Sequence, residues 1–202
     1  RGGQSDVQRG DGRGECSQGR RSQAQGNLLT TARVVFLPTP PLLIPEIAAG
    51  AAHDLDAVRA ATRAAVDWAC AGSKVAAGLP EQPVGDQTWA LAGFGVTIGH
   101  GTPVGLAEGV ARWLLAGRSA DMVGPGGSLS AYDAVLVMGD GSSSRTDKAP
   151  GHTNPAAVPF DDAVLAALRQ GDARALAATD LELADQVGAA GLLDRVADRD
   201  QA

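Results

Sequence analysis

The sequence predicts an α/β fold, a mostly parallel or mixed central sheet flanked by helices. Three observations carry that expectation. Short runs rich in Val and Leu alternate with longer stretches of helical periodicity. The strongest run, Ala134 to Met138, has no polar alternation, as suits a strand covered on both faces. The composition is 44% hydrophobic but only 3% aromatic, so the core must be built from small aliphatic side chains. Helices packed closely on a sheet meet that requirement. The chain of 202 residues is long enough for one such domain, expected over 29–198.

Residues 1–28 are Gly, Arg, Gln and Ser with few apolar side chains, so a disordered tail is expected there. RVVFL, Arg33 to Leu37, is the first strand, followed by PTPPLLIPE, Pro38 to Glu46. Prolines at 38, 40 and 41 fix φ and bar both helix and ladder, giving a stiff connection. A helix is expected over 53–71, with Asp54 as N-cap and Gly72 just past its end. Its inward stripe is read as Leu55, Val58, Thr62, Val66 and Ala69, with Arg59 and Arg63 opposite.

KVAAGL, from Lys74, is a weak strand, and Thr88 to Ile98 another, interrupted by Gly93 and Gly95. A helix from Pro103 to Ala116 has Thr102 placed to cap it and Gly117 to end it. Residues 118–132, with GPGGS, read as a loop. After the strand at 134–138, helices are expected over 160–170, 172–178 and 181–196. In the first of these, Val164, Leu165 and Leu168 face inward and Gly171 stops the helix.

Charge and cysteine content narrow the function. A net charge of −6 argues against a nucleic-acid groove, which needs clustered Lys and Arg. Cys16 and Cys70 supply neither a disulfide framework nor a zinc site, so a reducing cytoplasm is expected. No apolar run approaches the roughly 20 residues that span a bilayer. A homo-oligomer is compatible with all of this.

The candidate site lies in Asp133 to His152, DAVLVMGDGSSSRTDKAPGH. Gly139 and Gly141 flank Asp140 just past a central strand, where ligands of open α/β sheets usually sit. The alternative is a plain tight turn. Asp140 and His152 are the candidate catalytic groups, with Thr39, Glu46, Ser142, Ser143 and Lys148 around them. Gly93, Gly95, Gly99 and Gly101, or GDGSSS with Lys148, could instead cradle a phosphate or nucleotide. His100 among those glycines, and His53, complete the three histidines.

Two stretches together resemble a family. VVFLPTPPLLIPE is similar to the first strand and loop of class III extradiol ring-cleavage dioxygenases, in their actinobacterial, B-like branch. VMGDGSSSRTDKAPGHTNPAAVPFDDAVLAALRQGD is similar to that branch's later strand, GDGS turn and helix beginning FD. The resemblance spans about residues 32–192 and is specific only in those two segments.

It implies a ring-opening dioxygenase acting on a small aromatic ligand, with Fe(II) held by two histidines and a glutamate. The matching positions depart from this. The first ligand histidine falls at Thr39, and Ser143 and Ser144 stand where wider relatives carry histidine. No histidine occurs within Gly78 to Val84, and the glutamate position falls at Ala189 or Ala190. His152 lies where relatives carry Tyr. The expectation is therefore a catalytically impaired homologue with no metal ligand assigned. An active iron oxygenase with a rearranged site is the alternative, and a phosphate-binding domain a second.

Overall fold

The structure is a computed structural model that describes residues 33–72, 74–85, 88–149 and 152–189. The expected disordered tail, and the ends of the 29–198 domain and of the 181–196 helix, lie outside the described residues. The chain is α/β, with four parallel strands between two layers of helix.

Strand β1 (Arg33–Leu37) leads into a 3-10 turn at Pro41–Leu43, the short helix α1 (Pro45–Ala48) and a second 3-10 segment, Ala49–Leu55. Helix α2 (Asp56–Cys70) and strand β2 (Val75–Gly78) follow. Then come β3 (Trp89–Leu91), β4 (Ile98–Gly99), β5 (Thr102–Pro103) and helix α3 (Leu106–Leu115). Strands β6 (Asp121–Val123) and β7 (Ala134–Met138) precede helices α4 (Ala157–Gln170), α5 (Ala173–Ala177) and α6 (Leu181–Val187).

The main sheet runs β1-β7-β2-β6. β7 is central and buried along its whole length, which explains its unbroken apolar run. Its side chains divide by the two-residue period of a strand. Leu136 and Met138 join Val66, Val110 and Leu114 on the α2–α3 side. Val135 and Val137 join Phe160, Val164 and Val187 on the α4–α6 side. Parallel register pairs Phe36 with Val137 and Leu37 with Met138, so the chain leaves β1 and β7 at the same level.

Several expectations are corrected. The loop expected over 118–132 contains β6, which pairs with β2 through Ala76 and Asp121. Thr88 to Ile98 is not a strand of the main sheet. It folds back as β3 and β4, antiparallel, and with β5 makes a separate small sheet. Glycines drive this. At Gly101, φ is 129° and a Cβ would lie 2.5 Å from the Thr88 carbonyl carbon. The glycines read as a phosphate cradle thus serve a tight turn between paired strands.

Pro103 belongs to β5, so α3 starts at Leu106 with Gly105, not Thr102, at its N-cap; Ala116 in the left-handed region, rather than Gly117, is its C-cap. Helix α2 starts later than expected, and Leu55 replaces Asp54 as N-cap. Its buried stripe is also turned. Val58 is exposed, and Arg59 takes the inward place with 3% of its surface accessible. In α4, Leu165 faces solvent rather than the core (41% exposed), whereas Gly171 ends the helix as expected. Among the described residues no helix is long and apolar enough to cross a membrane.

Candidate functional site

The rims that follow β1 and β7 meet. Gly139 N–H donates to the Leu37 carbonyl (3.1 Å), extending the ladder by one step. Beyond it, Thr39 N–H donates to Asp140 Oδ1 (2.8 Å), and the Thr39 hydroxyl donates to Asp140 Oδ2. Thr39 is buried, whereas Asp140 is exposed on its remaining side. The stiff proline stretch makes this possible by presenting an N–H and a hydroxyl at fixed positions.

That loop is itself anchored from below by Arg59. Its guanidinium donates to the carbonyls of Leu43 (2.6 Å), Leu42 (2.8 Å) and Ala52, and to Asp56 Oδ1 (3.1 Å). The fork of donors on arginine suits several carbonyls at once, which is why a charged residue occupies the inward face of α2. Asp56 closes the cluster. The hydrogen bond from His53 holds its carboxyl below the usual carboxylate range, with a smaller contribution from Arg59.

The turn after β7 is anchored by Asp161, in the second turn of α4. Its Oδ1 accepts from Ser142 N–H (2.8 Å), and its Oδ2 from the Ser142 hydroxyl (2.7 Å) and Arg145 Nη1 (3.0 Å). Asp161 is only 6% exposed, so these bonds compensate a buried charge. On the other side, Ser143 N–H donates to the Val187 carbonyl (2.9 Å), tying the turn to the end of α6. Gly188 then turns the chain away with φ of 75° and leaves no room for a Cβ against the Ser143 side chain. Asn154 N–H donates to the Ser144 carbonyl (2.9 Å), and Asn154 Oδ1 accepts from Ala156 N–H at the start of α4.

Between these rims and α4 lies a cleft of about 470 Å³. Phe36, Pro38, Phe160 and Leu168 provide apolar walls, while Asp140, Ser142, Arg145 and Asp161 provide the polar groups. Comparison with protein-family models, curated proteins and solved structures finds no match for the chain.

The expected site residues therefore divide. Thr39, Asp140 and Ser142 come together at one rim, with Ser143 behind it. Glu46 is exposed in the first turn of α1 and does not line the cleft, and Lys148 and His152 are exposed in the connection to α4. His100 is exposed in the turn between β4 and β5, and His53 is exposed beside Asp56. Among the described residues no three His, Cys, Asp or Glu side chains are grouped so as to hold a metal ion. The donor set expected for Fe(II) is thus not assembled there.

Sequence reasoning missed Asp161, Arg145 and Arg59. An acid on a helix and a basic residue in a serine-rich loop read as solvated surface. The only signal in the sequence is the FD at 160–161, where an acid directly follows a core aromatic.

A second cavity, of about 670 Å³, lies by the end of α3 and the start of β6. Its two arginines are engaged. Arg112 donates to Glu108 Oε1 (2.7 and 2.8 Å), whose other oxygen accepts from Val84 N–H (2.9 Å). Arg118 pairs with Asp67 at 2.5 Å. Glu108 is fully buried, and this arrangement fastens Glu81 and Val84 to α3.

Proposed function

We propose that the chain is a class III extradiol dioxygenase-like domain that no longer cleaves rings and keeps the cleft between its rims as a site for a small aromatic ligand. The observation that carries this is the pairing of Thr39 with Asp140. The two segments that bear the resemblance, distant in sequence, meet through that pair at the carboxyl ends of adjacent parallel strands. That is where an open α/β sheet places a ligand. Loss of chemistry follows from the donors. A threonine hydroxyl that donates to a carboxylate is a poor iron ligand, and neutral imidazoles suit Fe(II) far better. Among the described residues no histidine lines the cleft.

The test is metal analysis of protein purified with iron present, together with a catechol panel under O₂ followed by absorbance. The expected result is substoichiometric iron and no ring-opened product, with saturable catechol binding by calorimetry. Stoichiometric Fe(II) with a yellow product would overturn the loss of chemistry; absence of any catechol binding would overturn the cleft's assignment.

A further inference from the structure

We infer that the cleft is built for a ligand with an apolar body and a protonated amine, the amine resting on Asp140. This rests on the reading of that cleft as a ligand site and goes further by naming the charge of what it takes.

Charge balance inside the cleft is the starting point. Among the described residues, three ionisable side chains line it: Asp140, Asp161 and Arg145. Arg145 and Asp161 face each other at 3.0 Å, and Ser142 completes the coordination of Asp161 with two further bonds. That pair is neutral as a unit. Asp140 is left as the uncompensated charge. Its only hydrogen-bond donor among the described residues is Thr39, which gives one bond to each carboxylate oxygen. A carboxylate has about four lone-pair sites, so each oxygen keeps one for a ligand.

Thr39 also fixes where those sites point. The donor is buried and sits on a loop stiffened by Pro38, Pro40 and Pro41. A carboxylate held in this way needs little reordering when a cation arrives. An ammonium group matches it with several donors and no acceptor, whereas an anion would meet a second negative charge. The formal net charge of −6 also favours the approach of a cation.

The rest of the cleft defines the body of the ligand. Phe36, Pro38, Phe160, Leu165 and Leu168 give one broad apolar wall. A volume of about 470 Å³ lies within the usual range for small-molecule sites. An arylalkyl or alkyl amine of modest size places its hydrocarbon along that wall and its nitrogen at the rim.

The experiment is calorimetric titration with three probes of similar shape: 2-phenylethylamine, 2-phenylethanol and 3-phenylpropanoate. The amine should bind at least tenfold more tightly than the alcohol, and the acid more weakly than either. Asp140→Asn should erase the preference for amine over alcohol. Leu165→Lys puts a cation on the cleft wall at a solvent-facing position that the fold tolerates, so it tests the charge argument independently of any loop rearrangement in Asp140→Asn. It should weaken the amine at least fivefold more than it weakens the alcohol. Equal binding of amine and acid, or an amine preference that survives both substitutions, overturns the inference. If catechol binds and the amine does not, this inference alone fails; if neither binds, the cleft's assignment fails with it.

Discussion

Asp161 shows how one buried carboxylate can organise a turn that looks loose in sequence. GDGSSS has no apolar anchor of its own, yet Ser142 is held through both its N–H and its hydroxyl. Asp161→Ala removes the acceptor for both and leaves Arg145 without its partner. The expected loss is about 2–3 kcal/mol in urea-induced unfolding, since orphaned buried donors cost more than a hydrogen bond gains. Arg145 contributes less, because it is substantially exposed and screened by solvent.

Cys70 illustrates the opposite case, a reactive group kept quiet. Burial pushes its thiol above the usual value near 9, and Asp67 adds to that, while Arg118 and Arg33 pull the other way. The thiolate is the nucleophile, so alkylation at neutral pH should be slow. In a Cys16→Ser background, the iodoacetamide rate should rise with pH and remain unsaturated at pH 9. A plateau below pH 8 contradicts this. Sequence gives little sign of either residue beyond the FD at 160–161. Asp161 has the spacing of a surface acid, and Cys70 sits in an ordinary alanine-rich helix.

Among the elements, the proline stretch after β1 depends on α2 more than periodicity suggests. Helical spacing puts Arg59 on the solvent face, where a charged side chain is expected because it is rarely fully buried. The carbonyls of Leu42, Leu43 and Ala52 reverse that placement, since Arg59 donates to all three, and at Leu42 the residue three ahead is Pro45, which has no N–H to give. Arg59→Met keeps the bulk and removes the donors. A loss of about 2–4 kcal/mol is expected, with faster amide exchange at Leu43 and Ile44 than in β7. Unchanged exchange at those amides means the loop is held by packing alone.

Strands are legible in proportion to their length and burial. β1 and β7 are plain, and β2 is recognisable despite its weak signal. β6, only three residues within a Gly- and Pro-rich stretch, owes its conformation to pairing with β2 and carries almost no local signal. The small sheet of β3, β4 and β5 is obscured for a related reason. Its glycines look like loop or ligand signals, although two of them accommodate backbone that passes too close for a Cβ.

For the molecule as a whole, the α/β class follows from hydrophobic patterning, whereas that β1 and β7 are neighbours is seen only in the pairing itself. The charge network around the cleft does not follow from patterning either, because it depends on which helix face meets which turn. Nothing in that network asks for a metal. Thermal unfolding in excess EDTA should therefore match unfolding in buffer within about 1 °C, and added Zn²⁺ or Fe²⁺ should not raise the midpoint. A chelator-induced fall of several degrees would show that a bound ion contributes to the fold.

The strand order has a consequence for how the protein is made. The last of the four parallel strands to leave the ribosome, β7, is the one inserted between the first two. Until residue 138 has been synthesised, β1 and β2 cannot share a sheet, because the neighbour that joins them does not yet exist. A nascent chain paused before Ala134 carries two adhesive apolar ribbons with open edges, the state in which chaperones are most needed. Closure is then a late, non-local event, and refolding should be limited by the threading of that one segment.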